Sequence, residues 1–517
     1  MEFETMDIGT LAGQLFVVDF SSPQPDEEIE RLVRDGVGGV ILFEKNIVDP
    51  PQVARLTNAV QHLAASAHVP PLLVAVDQEG GPVIQVRGTE FPSAMAFGAA
   101  GDESLVAAAA GVTARELRAV GIHMNYAPVL DVNNNPANPV IGVRSFGEDP
   151  VRVARLGSRA IAAMQAEGVL ATAKHFPGHG DTSLDSHLTL PTVTHPRSRL
   201  DAVELLPFRE AVRAGVGAVM TAHVVYPALD PDVPATLSPA IIGLLRRTLG
   251  FAGLVVTDSM RMRAVADRYT PGAAAVAAVR AGVDVVLACG PVETQLEALD
   301  AVRSAVRDGS LPEARVRESA RRVLAAKRRL GLFERADVSD TEAARAVGSR
   351  EHLALAERVA AAAVTIVANP RGTIPLPPGP VQVATDLVRW PRTAERLAAA
   401  LRAAGRTADT VTLNGHAATE VPAGAKRAVV VPFGMAGPDS IPLADRVRQA
   451  TLVALKRGPA VAVSLDVPYP LAGVAEGCAA LAAYGPDSPS IAAAARVLAG
   501  LVRPRGTLPV TMPFPPS

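Results

Sequence analysis

Between residues 174 and 187 the chain reads KHFPGHGDTSLDSH. Three histidines, two aspartates and a lysine follow directly on an apolar run at 168–173, and a buried run seldom ends in so many titratable groups unless they do chemistry. His187 follows Asp185 by two positions. In a tightly turned loop that spacing lets the carboxylate bond one imidazole nitrogen and leaves the other free for proton transfer. The same pairing also occurs as plain structural support, and that alternative stands at this level. Gly178 and Gly180 let the loop bend sharply or move.

A second such place is GLVVTDSM, residues 253–260, where a β-branched run ends on a lone carboxylate, Asp258. Burying that group costs solvation energy that the fold must offset. It could cap a helix starting near residue 260, or attack a bound substrate. Lys174 and His175 stand at a strand end, where side-chain alternation predicts that only one of them faces inward. Each could serve as ion-paired support or hydrogen-bond a polar substrate such as a sugar. Arg144 follows a loop rich in Asn and Pro (133–138), a composition suited to facing a substrate.

Zinc is the rival chemistry, with His175, His179, His187, His223 and Asp258 as conceivable ligands. A barrel metallohydrolase normally supplies His-x-His from its first strand, yet the segment 15–20, LFVVDF, has no histidine. Pro177 and two glycines break the 175/179 pair, so it cannot form a helical i, i+4 site. Neither a metal nor another cofactor is expected.

The elements that must position these groups are eight short apolar runs at 15–20, 38–43, 71–76, 123–132, 168–173, 218–225, 253–256 and 283–288. Segments with helical spacing separate most of them, which predicts parallel βαβ units and a (β/α)8 TIM-type barrel. Polar residues gather where these runs end: Asp77, Gln78 and Glu79, then Asp131, Lys174, His175, His223 and Asp258. That is the face on which barrel enzymes build their sites. A polar stretch at 334–350 reads as a linker. Alternation resumes at 363–368, 381–386, 410–413, 427–431, 460–465 and 479–483, with helices at 393–404, 442–456 and 490–501. The expected architecture is therefore a catalytic barrel at 1–335, a linker at 336–350 and an α/β sandwich domain at 351–517 with no catalytic cluster of its own.

Composition narrows the partners. Aromatic residues make up 4% of the chain, which argues against a surface for stacking bases or long glycans, and the net charge of -2 gives no draw toward nucleic acid or an anionic membrane. No apolar run reaches the roughly 18 residues of a membrane span. Two distant cysteines, Cys289 and Cys478, fit buried thiols in a reducing compartment. The acidic opening MEFET lacks a basic leader pattern, so a cytoplasmic monomer or homodimer is expected.

The 174–187 segment, DQEGG at 77–81, APVLDVNNNPANPVIGVRSFGEDP at 127–150 and TDSMRM at 257–262 together resemble glycoside hydrolase family 3, in its bacterial β-N-acetylglucosaminidase branch. The C-terminal part resembles that family's sandwich domain. The resemblance implies a retaining mechanism with Asp258 as nucleophile and an Asp185–His187 dyad as acid and base. It also implies that Asp77, Arg144, Lys174 and His175 bind sugar hydroxyls, with His223 close by. The chain departs from the family's GGxVxR pattern by reading GGPVIQVR. Gln85 holds the usual arginine place, and Arg87 is the candidate to supply that contact.

Removal of terminal β-linked N-acetylglucosamine from small glycosides, such as muropeptide fragments or chito-oligosaccharides, is the activity this implies. Phosphorolysis at the same site is the alternative, because a neutral histidine base does not repel phosphate. A non-catalytic sugar-binding protein is a third reading, and it sits poorly with a nucleophile and dyad that are both intact.

Overall fold

The computed structural model describes residues 6–334, 336–386, 392–413, 428–434 and 443–513. The MEFET opening and the ends of the expectations above that fall on residues 335, 427, 442 and 514 lie outside them. The first eight strands are β1 (Phe16–Val18), β2 (Gly39–Leu42), β3 (Leu73–Val76), β4 (Met124–Asn125), β5 (Leu170–Phe176), β6 (Ala218–Thr221), β7 (Leu254–Thr257) and β8 (Val286–Ala288). All neighbours pair in parallel, in the order β7-β6-β5-β4-β3-β2-β1-β8. A parallel bridge between Val256 and Val285 brings the two ends together, so the sheet is a nearly closed barrel. Every residue of these strands is buried. A parallel sheet is covered by helices outside and packed by its own side chains within, which is why the runs are continuously apolar. Val17, Ile41, Leu73, Met124, Leu170 and Leu254 fill the interior, so the barrel is a core rather than a channel.

Residues 334–350 read as featureless polar chain but contain a helix, Asp340–Ala346, with Ser339 accepting from the Glu342 amide. Beyond it a second sheet forms from β9 (Thr365–Ala368), β10 (Val381–Ala384), β11 (Ala408–Val411), β12 (Ala428–Phe433), β13 (Ala460–Ser464) and β14 (Ala479–Ala482). Its order is β11-β10-β12-β13-β14-β9, parallel except for β9 against β14. Helices Thr393–Ala403, Leu443–Arg457 and Ser488–Leu498 accompany it. This is a separate C-terminal α/β domain. Its surface meets the barrel beside the loop that follows β4, where Tyr469 reaches Asn133.

Candidate active site

The carboxyl ends of the barrel strands surround a cavity of about 840 Å³, within the range of small-molecule sites and more than one sugar ring fills. Its floor is ionic. Lys174 on β5 donates to Asp77 at 2.6 Å, and its ammonium also lies 2.6 Å from Glu79. Arg144 reaches the same Glu79 with two parallel bonds of 2.8 Å. Two cations thus face two carboxylates, a balance that makes the burial of Lys174 and the partial burial of the other three tolerable. Burial pushes Glu79 up, but Arg144 and Lys174 more than offset it and hold its carboxyl well below the usual range. Burial likewise pulls Lys174 down, and Asp77 with Glu79 outweigh it, so the lysine stays charged. Reciprocal amide bonds of 2.9 Å between Gln78 and Asn125 lock the ends of β3 and β4 that carry these groups.

Asp258 stands at the end of β7. Its carboxylate accepts from the Ser259 amide at 2.7 Å and lies 4.0 Å from His175 Nε2. Burial raises its pKa, yet His175, His223 and the Ser259 amide bring it below the ordinary value, so the group is ionised at neutral pH. It caps no helix: the next one, Arg263–Ala266, starts after Met262 without a side-chain cap. His175 is held on its other edge by Asp131, 2.7 Å from Nδ1. Asp131 also accepts from the His175 and His179 amides, at 3.1 and 2.6 Å.

The expectation that only one of Lys174 and His175 faces the site is corrected here, because both line the cavity. The ladder between β5 and β6 shifts register between Ala173 and Phe176, which breaks the alternation on which that reading relied. The Lys174–His175 peptide is cis.

Above the floor runs the loop that carries His187. Its base is tied down: Tyr226 donates to the Gly178 carbonyl at 2.6 Å, and Asn138 donates to the carbonyls of His179 and Gly180 at 2.9 Å each. Burial pushes His179 down to about 4, so the ring is neutral, and Thr182 and Ser186 hydroxyls meet its two nitrogens at 2.9 Å. His187 itself is 58% exposed. Asp185 Oδ1 lies 2.8 Å from both its amide and its Nδ1. A carboxylate can only accept, so Nδ1 carries a hydrogen and Nε2 is the nitrogen left to exchange a proton.

Of the residues singled out from sequence, Asp77, Arg144, Lys174, His175, His187 and Asp258 line the one cavity, and Asp185 stands behind His187. His223 is buried beneath the site, donating to the Ser259 carbonyl at 3.0 Å and accepting from Thr236 at 2.8 Å. Burial lowers its pKa, and it supports the Asp258–Ser259 turn without lining the cavity. Arg87 is exposed and does not itself line the cavity, but its guanidinium lies 2.8 Å from Glu44, which lines the wall together with Gln85.

Sequence reasoning placed Glu79 and Asp131 on the face of the site but gave neither a role. Glu79 was open to it, since alternation puts it on the face of Asp77 two residues earlier. Asp19, which Lys45 holds at 2.7 Å, also forms the wall, and its place at the end of the first apolar run was a comparable signal. Among the described residues, Asp181, His195 and Glu204 cluster closely enough to hold a metal, but Arg199 lies 3.0 Å from Glu204 and 3.8 Å from Asp181. No described helix is long and apolar enough to cross a membrane.

Known proteins share this architecture. The glycosyl hydrolase family 3 N terminal domain matches residues 9–326. A "Beta-hexosaminidase A" of Pseudoalteromonas piscicida is 38% identical over 381 residues, which is 68% of this chain and 62% of that protein. The chain therefore spans less than two thirds of that relative's length. A "Beta-N-acetylglucosaminidase/beta-glucosidase" of Cellulomonas fimi is 34% identical over 70% of this chain and 65% of its own. In structure, a glycoside hydrolase family 3 β-N-acetylglucosaminidase from Paenibacillus sp. str. FPU-7 superposes with a TM-score of 0.90 at 39% identity, covering 98% of this chain and 99% of that one. On this evidence the chain belongs to glycosyl hydrolase family 3.

Proposed function

We propose that this protein is a retaining exo-β-N-acetylglucosaminidase that removes terminal β-linked N-acetylglucosamine from small glycosides such as muropeptide fragments or chito-oligosaccharides. The observation that carries this reading is one cavity shared by an ionised Asp258 and a His187 whose Nε2 is the exchangeable nitrogen. The names of the relatives described above support the choice of sugar.

In this mechanism Asp258 attacks the anomeric carbon while His187 Nε2 gives its proton to the departing oxygen. A glycosyl-aspartate ester results, and the leaving group departs as a neutral alcohol. Water then attacks the same carbon, His187 takes up its proton, and the ester bond breaks to restore Asp258. Asp185 stabilises the positive charge that the imidazole carries before the first step and again after the second, and holds the neutral ring in between. Asp77, Arg144, Lys174 and His175 hold the sugar hydroxyls, so the ring arrives oriented on a floor that needs little rearrangement. Movement of the His187 loop over the bound sugar completes the site.

The test is hydrolysis of 4-nitrophenyl β-N-acetylglucosaminide, with the β-glucoside as control and with and without phosphate. Asp258→Asn is expected to lose at least ~10⁴-fold in kcat/KM, the order found when a covalent nucleophile is removed. Retention of activity in that variant sinks the proposed mechanism. Release of the sugar 1-phosphate in phosphate buffer would make water the wrong acceptor.

A further inference from the structure

The C-terminal domain contributes no described residue to the cavity lining, yet it touches the layer on which the cavity is built. One such contact is Tyr469, which lies in the short turn Tyr469–Gly473 after β13. Its hydroxyl accepts from Asn133 Nδ2 at 2.9 Å and donates to the Asn133 carbonyl at 3.3 Å. Both polar capacities of the phenol are therefore spent on a single buried barrel residue. Among the described residues Asn133 Oδ1 is buried with no partner, and Tyr469 is the one described group that bonds this side chain.

Asn133 begins the loop that ends at Arg144. Within it, Asn138 works as a clamp. Its Oδ1 accepts from the amides of Val140 and Ile141 at 2.9 and 2.8 Å, and the Ile141 carbonyl accepts from the Arg144 amide at 2.9 Å. Both Nδ2 hydrogens go the other way, to the His179 and Gly180 carbonyls at the base of the His187 loop. That base passes close by: a Cβ added to Gly180 would sit 1.8 Å from the Val132 carbonyl oxygen. Val467, just before Tyr469, presses on the same loop, lying 3.1 Å from where a Cβ would stand on Gly142. The sugar-holding arginine and the acid/base loop thus share one support, and the second domain holds that support from behind.

We infer that Tyr469 is a positioning residue for the barrel's active site, setting through Asn133 and Asn138 where Arg144 and the His187 loop stand relative to Asp258. The inference rests on the mechanism proposed above. A shift of that support would misplace the acid more than the nucleophile, since Asp258 is held independently by Ser259 and by the histidines around it. Loss of acid assistance has a signature: it harms substrates with poor leaving groups and spares those whose leaving group departs unprotonated.

The experiment compares kcat/KM for phenyl and 2,4-dinitrophenyl β-N-acetylglucosaminides in the full-length protein, wild type, Tyr469→Phe and Asn138→Ala. In Tyr469→Phe the phenyl glycoside is expected to lose about tenfold more than the dinitrophenyl one, since displacement of a reacting group by an ångström can cost ~10²-fold. The double variant should lose less than the product of the two single losses, because both changes act on one support. Equal losses for the two substrates, or none, would overturn the inference and leave Tyr469 a packing residue. If Tyr469→Phe fails to fold, Asn138→Ala must show the leaving-group signature alone, and its absence there overturns the inference as well. A wild type that cleaves neither glycoside sinks the glycosidase reading and this inference with it. A wild type that cleaves both, with an unchanged ratio in the variants, sinks only this inference.

Discussion

The two ends of the barrel each bury a lysine, and the two are treated in opposite ways. At the mouth, Lys174 is 2% exposed and meets two carboxylates, Asp77 and Glu79, which keep it charged against the pull of burial. At the opposite end, Lys327 is fully buried and among the described residues meets only an amide oxygen, Gln14 Oε1 at 2.6 Å. Burial alone pushes Lys327 down to about 7. Burial is the same in both places, so the partners decide the protonation state. A cation inside this protein has been provided for where it can hold a substrate, and is merely accommodated where it cannot.

Three substitutions bear on that contrast, ranked here by their effect on stability. Glu79→Gln should break it by leaving Lys174 and Arg144 to share Asp77. Removing one partner of a buried ionic cluster costs about 3–5 kcal/mol, visible as a lower midpoint in urea or thermal unfolding and as a higher KM. The pH dependence should change too. Glu79 has a folded pKa held below its ordinary 4.5, so its contribution is complete above that value and is lost as pH falls. The variant should show a shallower loss of stability in acid, and an unchanged acid limb would remove Glu79 from the account.

Lys327→Met should act in the other direction. A lysine with a folded pKa near 7 and an unfolded value near 10.5 binds fewer protons when folded between those limits, so wild-type stability rises with pH across that window. Below pH 7 the penalty is complete, on the order of 5 kcal/mol before the lost bond to Gln14 is discounted. The variant is expected to unfold later than wild type at pH 6, with an advantage that shrinks toward pH 10. An advantage independent of pH would mean that Lys327 is paired in some other way.

His187→Ala should be the smallest in stability, within about 0.5 kcal/mol, because the ring is exposed and bonded only within its own loop. Turnover of the phenyl glycoside should still fall ~10²–10⁴-fold. A large drop in melting temperature would show that the loop is part of the framework rather than an addition to it.

The frame was open to reading because a parallel barrel writes itself into sequence one strand at a time. Each strand must be apolar throughout, and each ends where its polar residues begin, so Asp77, Lys174, His175 and Asp258 could be placed on one face from local pattern. The pairings among them could not. Glu79 meets Arg144 across 65 residues, Asp131 meets His175 across 44, and Tyr469 meets Asn133 across 336. Nothing in the local pattern of either partner announces such a contact. Gln85 was visible as a departure, but the pairing of Arg87 with Glu44, 43 residues earlier at the cavity wall, was not. The helix at Asp340–Ala346 was missed because its charged residues outweigh Ala343, the single residue that it buries.

The fixed points at Gly178, His179 and Gly180 have a consequence for the imidazole they precede. From Thr182, which bonds back to His179, the chain needs only five residues to reach His187, a span of at most about 17 Å. The acid is thus a reagent on a short tether. Its reach toward Asp258 is set by that short length of chain together with the bonds that hold it, from Asn138 at the base of the loop and from Ser186 to His179 one residue before the imidazole.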